Sequence, residues 1–193
     1  MSPRAAASSE SHPSLLLTPS PASHAFFAVL VAVAYADHND HSQPKKTDTF
    51  TAKLIGANEV PKGNSAAARN AVNDKSGTGQ MKLEFYKKDD KLVWVKFSVK
   101  ASKLEGEMPP TKTHIHVGVK GQNHHALLDL PCKYEKKSNN DWRCEGVIGQ
   151  EQKLSHSQVE DFMKIAHQPS GFYGNIHTKK YPDGAVRGQF SRK

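Results

Sequence analysis

Apolar and polar residues alternate along two neighbouring stretches in the middle of the chain. In residues 78–86 the apolar positions are Met81, Leu83 and Phe85, and residues 91–101 alternate in the same way. A period of two is typical of a strand with one buried face, and a short polar turn, KKDD, joins the two runs. The pattern therefore predicts a β-hairpin.

Turn residues separate several other short apolar runs along the chain. The clearest turn is Pro182-Asp183-Gly184, where proline presets φ, aspartate caps the turn and glycine accepts a positive φ. This turn joins two further runs into a second predicted hairpin. The predicted strands outside the first hairpin are residues 48–56, 113–121, 126–130, 142–149, 171–178 and 185–190.

One stretch changes from a period of two to a helical period. Its apolar residues fall at i, i+3, i+4 and i+7 and form one stripe: Val159, Phe162, Met163 and Ala166. Ser157 followed by Glu160 fits a capping box, so we predict a short helix near 157–167. Many short strands with one helix predict a mainly β protein, built as an antiparallel β-sandwich or barrel.

The N-terminal part of the chain has the pattern of a targeting signal. Residues 25–36 form an apolar run that ends in AYA, a pattern that suits signal-peptide cleavage before Asp37. The run is shorter than the roughly 20 residues that a membrane span needs. We therefore predict a signal peptide over 1–36 with an atypically long n-region, and secretion of a mature chain without a transmembrane segment. A plastid-type transit segment is the alternative, because the region before the apolar run is rich in serine.

The mature chain is predicted to contain a flexible lead-in over 37–47 and a single domain over 48–193. The formal net charge of the whole chain is +8, and its basic pairs are scattered along the sequence. Scattered charge predicts a generally cationic surface and not a nucleic-acid groove. The expected partners are an unknown extracellular protein or an anionic polymer.

The chain contains two cysteines, Cys132 and Cys144, on either side of a short polar segment. In an oxidising compartment we expect them to form one disulfide. The alternative is a pair of free thiols in a reducing compartment.

Three histidines lie in predicted strands. His114 and His116 alternate with Ile115, and His177 lies in the strand 171–178. Because side chains alternate across a strand, Phe172 and Ile176 share one face, whereas three residues share the other: Tyr173, Asn175 and His177. Aliphatic residues prefer the core, so we expect the histidines to face away from it. They then form either an exposed polar patch or a shallow site on the outer side of a sheet.

Three neutral imidazoles that converge suit copper or zinc with one coordination position open. Such a site requires the strand of His114 and His116 to lie beside that of His177. The candidates for additional roles are His124 and His125 as further ligands, Asn175, Glu59 and Asp129 as residues supporting the ligands, and Arg187 as a guide for an anion. The face that Arg187 occupies depends on the register of the second hairpin. We find no serine or cysteine nucleophile with a suitable base.

Several motifs resemble the CHRD family, a domain first described as a repeat in chordin. The matching stretches are FTAKLIGANEVP at 50–61, THIHVGVKGQN at 113–123, LLDL at 127–130 and GFYGNIHTKKYPDGAVRGQF at 171–190. This chain departs from the family pattern at Lys62, where a proline is usual, and at His124, where a glycine is usual. The resemblance implies a secreted or surface-attached β-sandwich of the superoxide dismutase-like or immunoglobulin-like kind.

The spacing of the histidines is also similar to the copper-binding pattern of Cu/Zn superoxide dismutases. We therefore interpret the chain as a secreted CHRD-like binding module of undefined ligand that carries a candidate histidine copper or zinc site. One alternative is a copper-dependent enzyme of the superoxide dismutase type, although the residues favour a binding module over an enzyme. Another is a structural matrix or surface protein that binds anionic polymers.

Overall fold

The structure is a computed structural model and describes residues 43–61 and 74–193. The predicted signal peptide over 1–36 lies outside these residues. The strands are β1 (Lys45–Ile55), β2 (Thr78–Lys88), β3 (Lys91–Ser102), β4 (Lys112–Val117), β5 (Ala126–Asp129), β6 (Glu135–Ser138), β7 (Asp141–Ile148), β8 (Phe172–His177) and β9 (Val186–Arg192). The helix α1 spans His156–His167, and two short 3₁₀ helices span Gly56–Asn58 and Pro169–Gly171.

Within the described residues, nine antiparallel strands form one sheet in the order β5-β4-β8-β9-β1-β2-β3-β7-β6. The prediction of a mainly β fold is confirmed, but the predicted sandwich of two sheets is not. The sheet curls, so that side chains of distant strands meet on its inner face. A Cβ at Gly174 in β8 would lie 2.9 Å from the Cε atom of Met81 in β2, three strands away in the sheet.

The hydrophobic core fills the inner face of this curled sheet. Strands β1 to β3 contribute alternate residues that are all at most 1% exposed: Phe50, Ala52, Leu54, Met81, Leu83, Phe85, Val95, Phe97, Val99 and Ala101. The helix covers part of this face with Phe162, Ile165 and Ala166. The ring of Phe162 packs edge-on against Phe85, with their centroids 5.6 Å apart. The alternation seen in the sequence therefore corresponds to the buried side of the sheet.

The first predicted hairpin is present, because β2 pairs with β3 from Lys88↔Lys91 to Thr78↔Ser102. Asp89 and Asp90 form its turn with positive φ angles of 49° and 58°. Strand β1 begins at Lys45. The end of the predicted 37–47 lead-in is therefore part of a strand.

The helix is present, but its predicted capping box was wrong by two positions. Ser155 is the N-cap, its hydroxyl accepts from the backbone N–H of Gln158, and the Gln158 side chain accepts from the Ser155 N–H. Ser157 and Glu160 therefore lie inside the first helical turns and do not cap the helix. No helix in residues 43–61 and 74–193 is long and apolar enough to cross a membrane.

A disulfide joins Cys132 and Cys144, as predicted, with the Cα atoms 5.4 Å apart. Cys132 follows β5, at one edge of the sheet, whereas Cys144 lies in β7, next to the opposite edge strand. The segment after β5 thus crosses from one edge of the sheet towards the other. In this segment the hydroxyl of Tyr134 shares a hydrogen bond of 2.6 Å with the hydroxyl of Thr113 in β4. This segment therefore holds the two ends of the curled sheet together.

Candidate metal centre

Strand pairing brings the predicted histidines together. Strands β4 and β8 are antiparallel neighbours, with His116 opposite Tyr173, His114 opposite Asn175 and Lys112 opposite His177. Ile115 points to the core and is fully buried, so the residues on either side of it point outward. The adjacency that a three-histidine site requires is present.

The three imidazoles form a compact cluster on the outer side of the sheet. The ring centroids of His114 and His177 are 4.7 Å apart, and those of His114 and His116 are 5.5 Å apart. One potential ligand atom from each ring lies within 4.8 Å of the other two. Metal–nitrogen distances of about 2.0–2.1 Å require nitrogens no more than about 4.2 Å apart, so these atoms would need to approach by at most about 0.6 Å to hold an ion.

Hydrogen bonds at the Nδ1 atoms of two of the histidines leave the lone pairs of their Nε2 atoms directed into the cluster. The Nδ1 atom of His116 lies 3.0 Å from the carbonyl of His124, and the Nδ1 atom of His177 lies 2.9 Å from the carbonyl of Pro182. A carbonyl only accepts, so each Nδ1 carries the proton and each Nε2 has a lone pair. Both Nε2 atoms are buried and have no partner among the described residues. This donor set fits a copper or zinc ion.

The third ring, His114, is supported by a carboxylate. Its Nε2 atom lies 3.2 Å from Oδ1 of Asp129, whose side chain is 83% exposed. Strand β5 pairs with β4 and places Asp129 directly opposite His114. A carboxylate that accepts from one imidazole nitrogen orients the ring and makes the other nitrogen a better ligand. The supporting role predicted for Asp129 has this geometry.

All three histidines are held in the neutral form that a metal requires. Burial is the largest cause that lowers the pKa of His114, His116 and His177 below the usual value, and for His177 the pKa falls to about 4. Metal ligands must be deprotonated, so the cluster is ready to bind without releasing protons at neutral pH.

His177 is expected to weaken the metal-free fold at acid pH. The unfolded chain binds a proton at His177 near pH 6.5, whereas the folded chain binds it only near pH 4, so stability falls as the pH decreases through this interval. The loss due to His177 is about 2 kcal/mol at pH 5. Denaturant unfolding of the wild type and His177→Asn at pH 7 and pH 5, with chelator present, measures it as the change in the difference between the two proteins, in which the contribution of Glu59 cancels. His125→Asn should follow the wild type at both pH values.

Arg187 lies on the same face as His177, because β9 pairs Arg187 with Asn175. Its side chain is 1% exposed. The guanidinium donates to Oδ1 of Asn123 at 2.8 Å and to the carbonyl of Gln122 at 2.7 Å. These bonds hold the 118–125 loop against the sheet, so the geometry favours a positioning role over attraction of an anion.

The loop in turn controls His116. Its residue His124 supplies the carbonyl that fixes the tautomer of His116. The ring of His116 stacks on Tyr173 with centroids 4.8 Å apart and an angle of 5° between the planes. The centroid of the Tyr173 ring also lies 3.4 Å from the guanidinium carbon of Arg187. Strand periodicity predicted that Tyr173 shares a face with His177, but no sequence pattern indicated this stacking.

Asn175 makes a buried contact with Glu59 next to the cluster. Its Nδ2 donates to Oε2 of Glu59 at 3.5 Å, whereas Oε1 of Glu59 and Oδ1 of Asn175 have no partner among the described residues. Burial raises the pKa of Glu59 to about 8, against the opposing charge of Arg187. A proton on Glu59 gives the carboxyl a donor as well as an acceptor. Only glycine fits at Gly184, where φ is +137° and a Cβ would lie 2.7 Å from both Glu59 oxygens.

The side chains of His124 and His125 lie in an exposed part of the 118–125 loop. Among the described residues, the cluster of potential ligands consists of His114, His116 and His177. His124 therefore contributes to it through its backbone carbonyl, and the structure does not bring the His125 ring into the cluster.

The fold and the site define a mainly β domain with a partly buried histidine cluster on the outer side of its sheet. Residues 50–190 match the CHRD domain. The chain belongs to the CHRD family, and the resemblance seen in the sequence is confirmed. Searches of curated proteins and of solved structures found no match.

Proposed function

We propose that this chain is a secreted CHRD module that binds one copper or zinc ion through His114, His116 and His177. One observation carries the proposal. The Nε2 atoms of His116 and His177 are buried and have no hydrogen-bond partner in the part of the chain that the structure describes, because a backbone carbonyl holds the proton of each ring on Nδ1. A buried acceptor without a partner is unfavourable, and an ion between the rings removes this cost.

Secretion is supported by three independent features. CHRD domains are typically extracellular. The Cys132–Cys144 disulfide suits an oxidising compartment. The apolar run 25–36 with its small-x-small ending has the pattern of a signal peptide.

Metal stoichiometry of the full chain tests the site. After loading with Cu²⁺ or Zn²⁺ and dialysis, we expect one tightly bound ion per chain by elemental analysis. Removing one of three ligands costs much of the binding free energy, so His114→Ala and His177→Ala should weaken the affinity by at least about 100-fold. The electron paramagnetic resonance spectrum of the copper form should show coupling to three nitrogens.

Two controls make this result specific. His125→Ala removes an exposed imidazole outside the cluster and should leave the affinity unchanged. His114 is the safer variant for folding, since its side chain is 15% exposed whereas His177 is 7% exposed. Weak, substoichiometric binding by the wild type, or equal binding by a triple His114, His116, His177 alanine variant, would refute the metal site.

The same preparations separate the alternatives. If the chain is a superoxide dismutase-like enzyme, its copper form should consume superoxide faster than the free ion does. If it is a binding module, the copper form should not. A matrix protein that holds anionic polymers predicts retention on an anionic column at physiological salt, with or without metal.

A further inference from the structure

Lys112 lies beside the histidine cluster and was not singled out in the sequence. It precedes His114 by two residues in β4 and pairs with His177 across the strands. The side chains of Lys112, His114 and His116 therefore point to the same side of the sheet.

A cavity of about 390 Å³ opens next to this lysine, and His114 is part of its wall. Lys112 and Lys133 line the same cavity, together with Asp129 and an apolar wall that includes Leu130. Among the described residues of the lining there is one carboxylate, Asp129, and it is already paired with His114. The two lysines therefore leave an excess of positive charge in the cavity.

The other rings of the cluster are covered. His116 is stacked on Tyr173 and hydrogen-bonded to the loop carbonyl of His124. His177 is 7% exposed and hydrogen-bonded to Pro182. A ligand would therefore reach the ion from the side of His114.

A divalent ion held by three neutral imidazoles keeps its full charge and one open position. Close to two ammonium groups, that position favours an anionic ligand over a neutral one. The volume of the cavity is larger than a single atom or a water molecule needs, and its wall is partly apolar.

We propose that this cavity binds a small organic carboxylate, which coordinates the metal ion beside His114 and has its charge balanced by Lys112 and Lys133. This inference rests on the metal site of the proposed function and adds the chemical class of its ligand. It assigns roles to two lysines that are not metal ligands.

Titration of the full chain loaded with Cu²⁺ tests the inference, with acetate as the probe and acetamide as its uncharged counterpart of the same shape. Acetate should shift the visible absorption band of the copper in a saturable way, whereas acetamide should not. Lys112→Met and Lys133→Met should each weaken acetate binding by about fivefold, because each removes one nearby positive charge. Lys96→Met, an exposed position in β3, should leave it unchanged.

Copper stoichiometry measured on every sample separates the two proposals. A full copper content together with equal responses to acetate and acetamide overturns the carboxylate site and leaves the metal site standing. The same holds if both lysine variants bind acetate as the wild type does. A wild-type chain that retains no copper overturns both proposals.

Discussion

Replacing Glu59 with glutamine is expected to stabilise the protein at pH 8 relative to the wild type, with little effect at pH 5. Burial raises the folded-state pKa of Glu59 to about 8 from its ordinary value of 4.5. The unfolded chain therefore releases this proton before the folded chain does, and stability falls as the pH rises from about 4.5 to 8. The expected loss between pH 5 and pH 8 is about 3 kcal/mol. Glutamine stays neutral and keeps an amide oxygen that can accept from Nδ2 of Asn175.

Denaturant unfolding of the metal-free protein at both pH values measures this effect. His177 also changes stability below pH 6.5, but it contributes equally to both proteins, so the difference between them isolates Glu59. Glu151→Gln, at an exposed turn, is the matched control and should follow the wild type. Parallel curves for wild type and Glu59→Gln across this range would show that Glu59 ionises freely in the folded state.

Removing the Cys132–Cys144 disulfide is expected to lower the free energy of unfolding by about 3 kcal/mol. The bond closes a loop with a sequence separation of 12 residues, and a loop of this size restricts the unfolded chain by about that amount. It also fixes the segment that carries Leu130 and Lys133 along the cavity beside His114. The variant with alanine at both cysteines should therefore also bind acetate more weakly in its copper form.

Reducing the disulfide of the wild type controls for the sulfur atoms that the alanine substitutions remove. Cys144 is 1% exposed, so alanine there leaves a small void in addition to breaking the bond. A reducing agent breaks the bond and keeps both sulfur atoms, and it should destabilise the wild type but not the double variant. If the reduced wild type unfolds at the same denaturant concentration as the oxidised one, the disulfide does not stabilise the fold.

Local patterns predicted the elements well because the interactions that form them are short in sequence. The alternation in 78–86 and 91–101 predicted the first hairpin, whose turn needs only neighbouring residues. The cap of the helix was predicted two residues too late, because Ser155 and Ser157 are both followed, three residues later, by a residue that can complete a capping box. Only the hydrogen bonds of the folded chain show that Ser155 is the cap.

Strand parity correctly placed the histidines away from the core, but it did not predict that their side of the sheet is covered. Every residue of β8 is buried, including Tyr173, Asn175 and His177. The cover comes from parts of the chain that are distant in sequence, such as the 118–125 loop held by Arg187. Periodicity reports which face a residue occupies and contains no information about what packs on that face.

The sequence by itself determined the family, the strand periods, the disulfide partners and the histidines of the cluster, since each depends on residue type and local spacing. Only the tertiary structure decided that one curled sheet replaces a sandwich, that Arg187 faces Asn175, and that Lys112 and Asp129 adjoin the cluster. These features depend on the pairing and register of strands far apart in the chain. Register is set by how whole faces fit together in the folded core, and a shift of one residue would move every side chain to the opposite face.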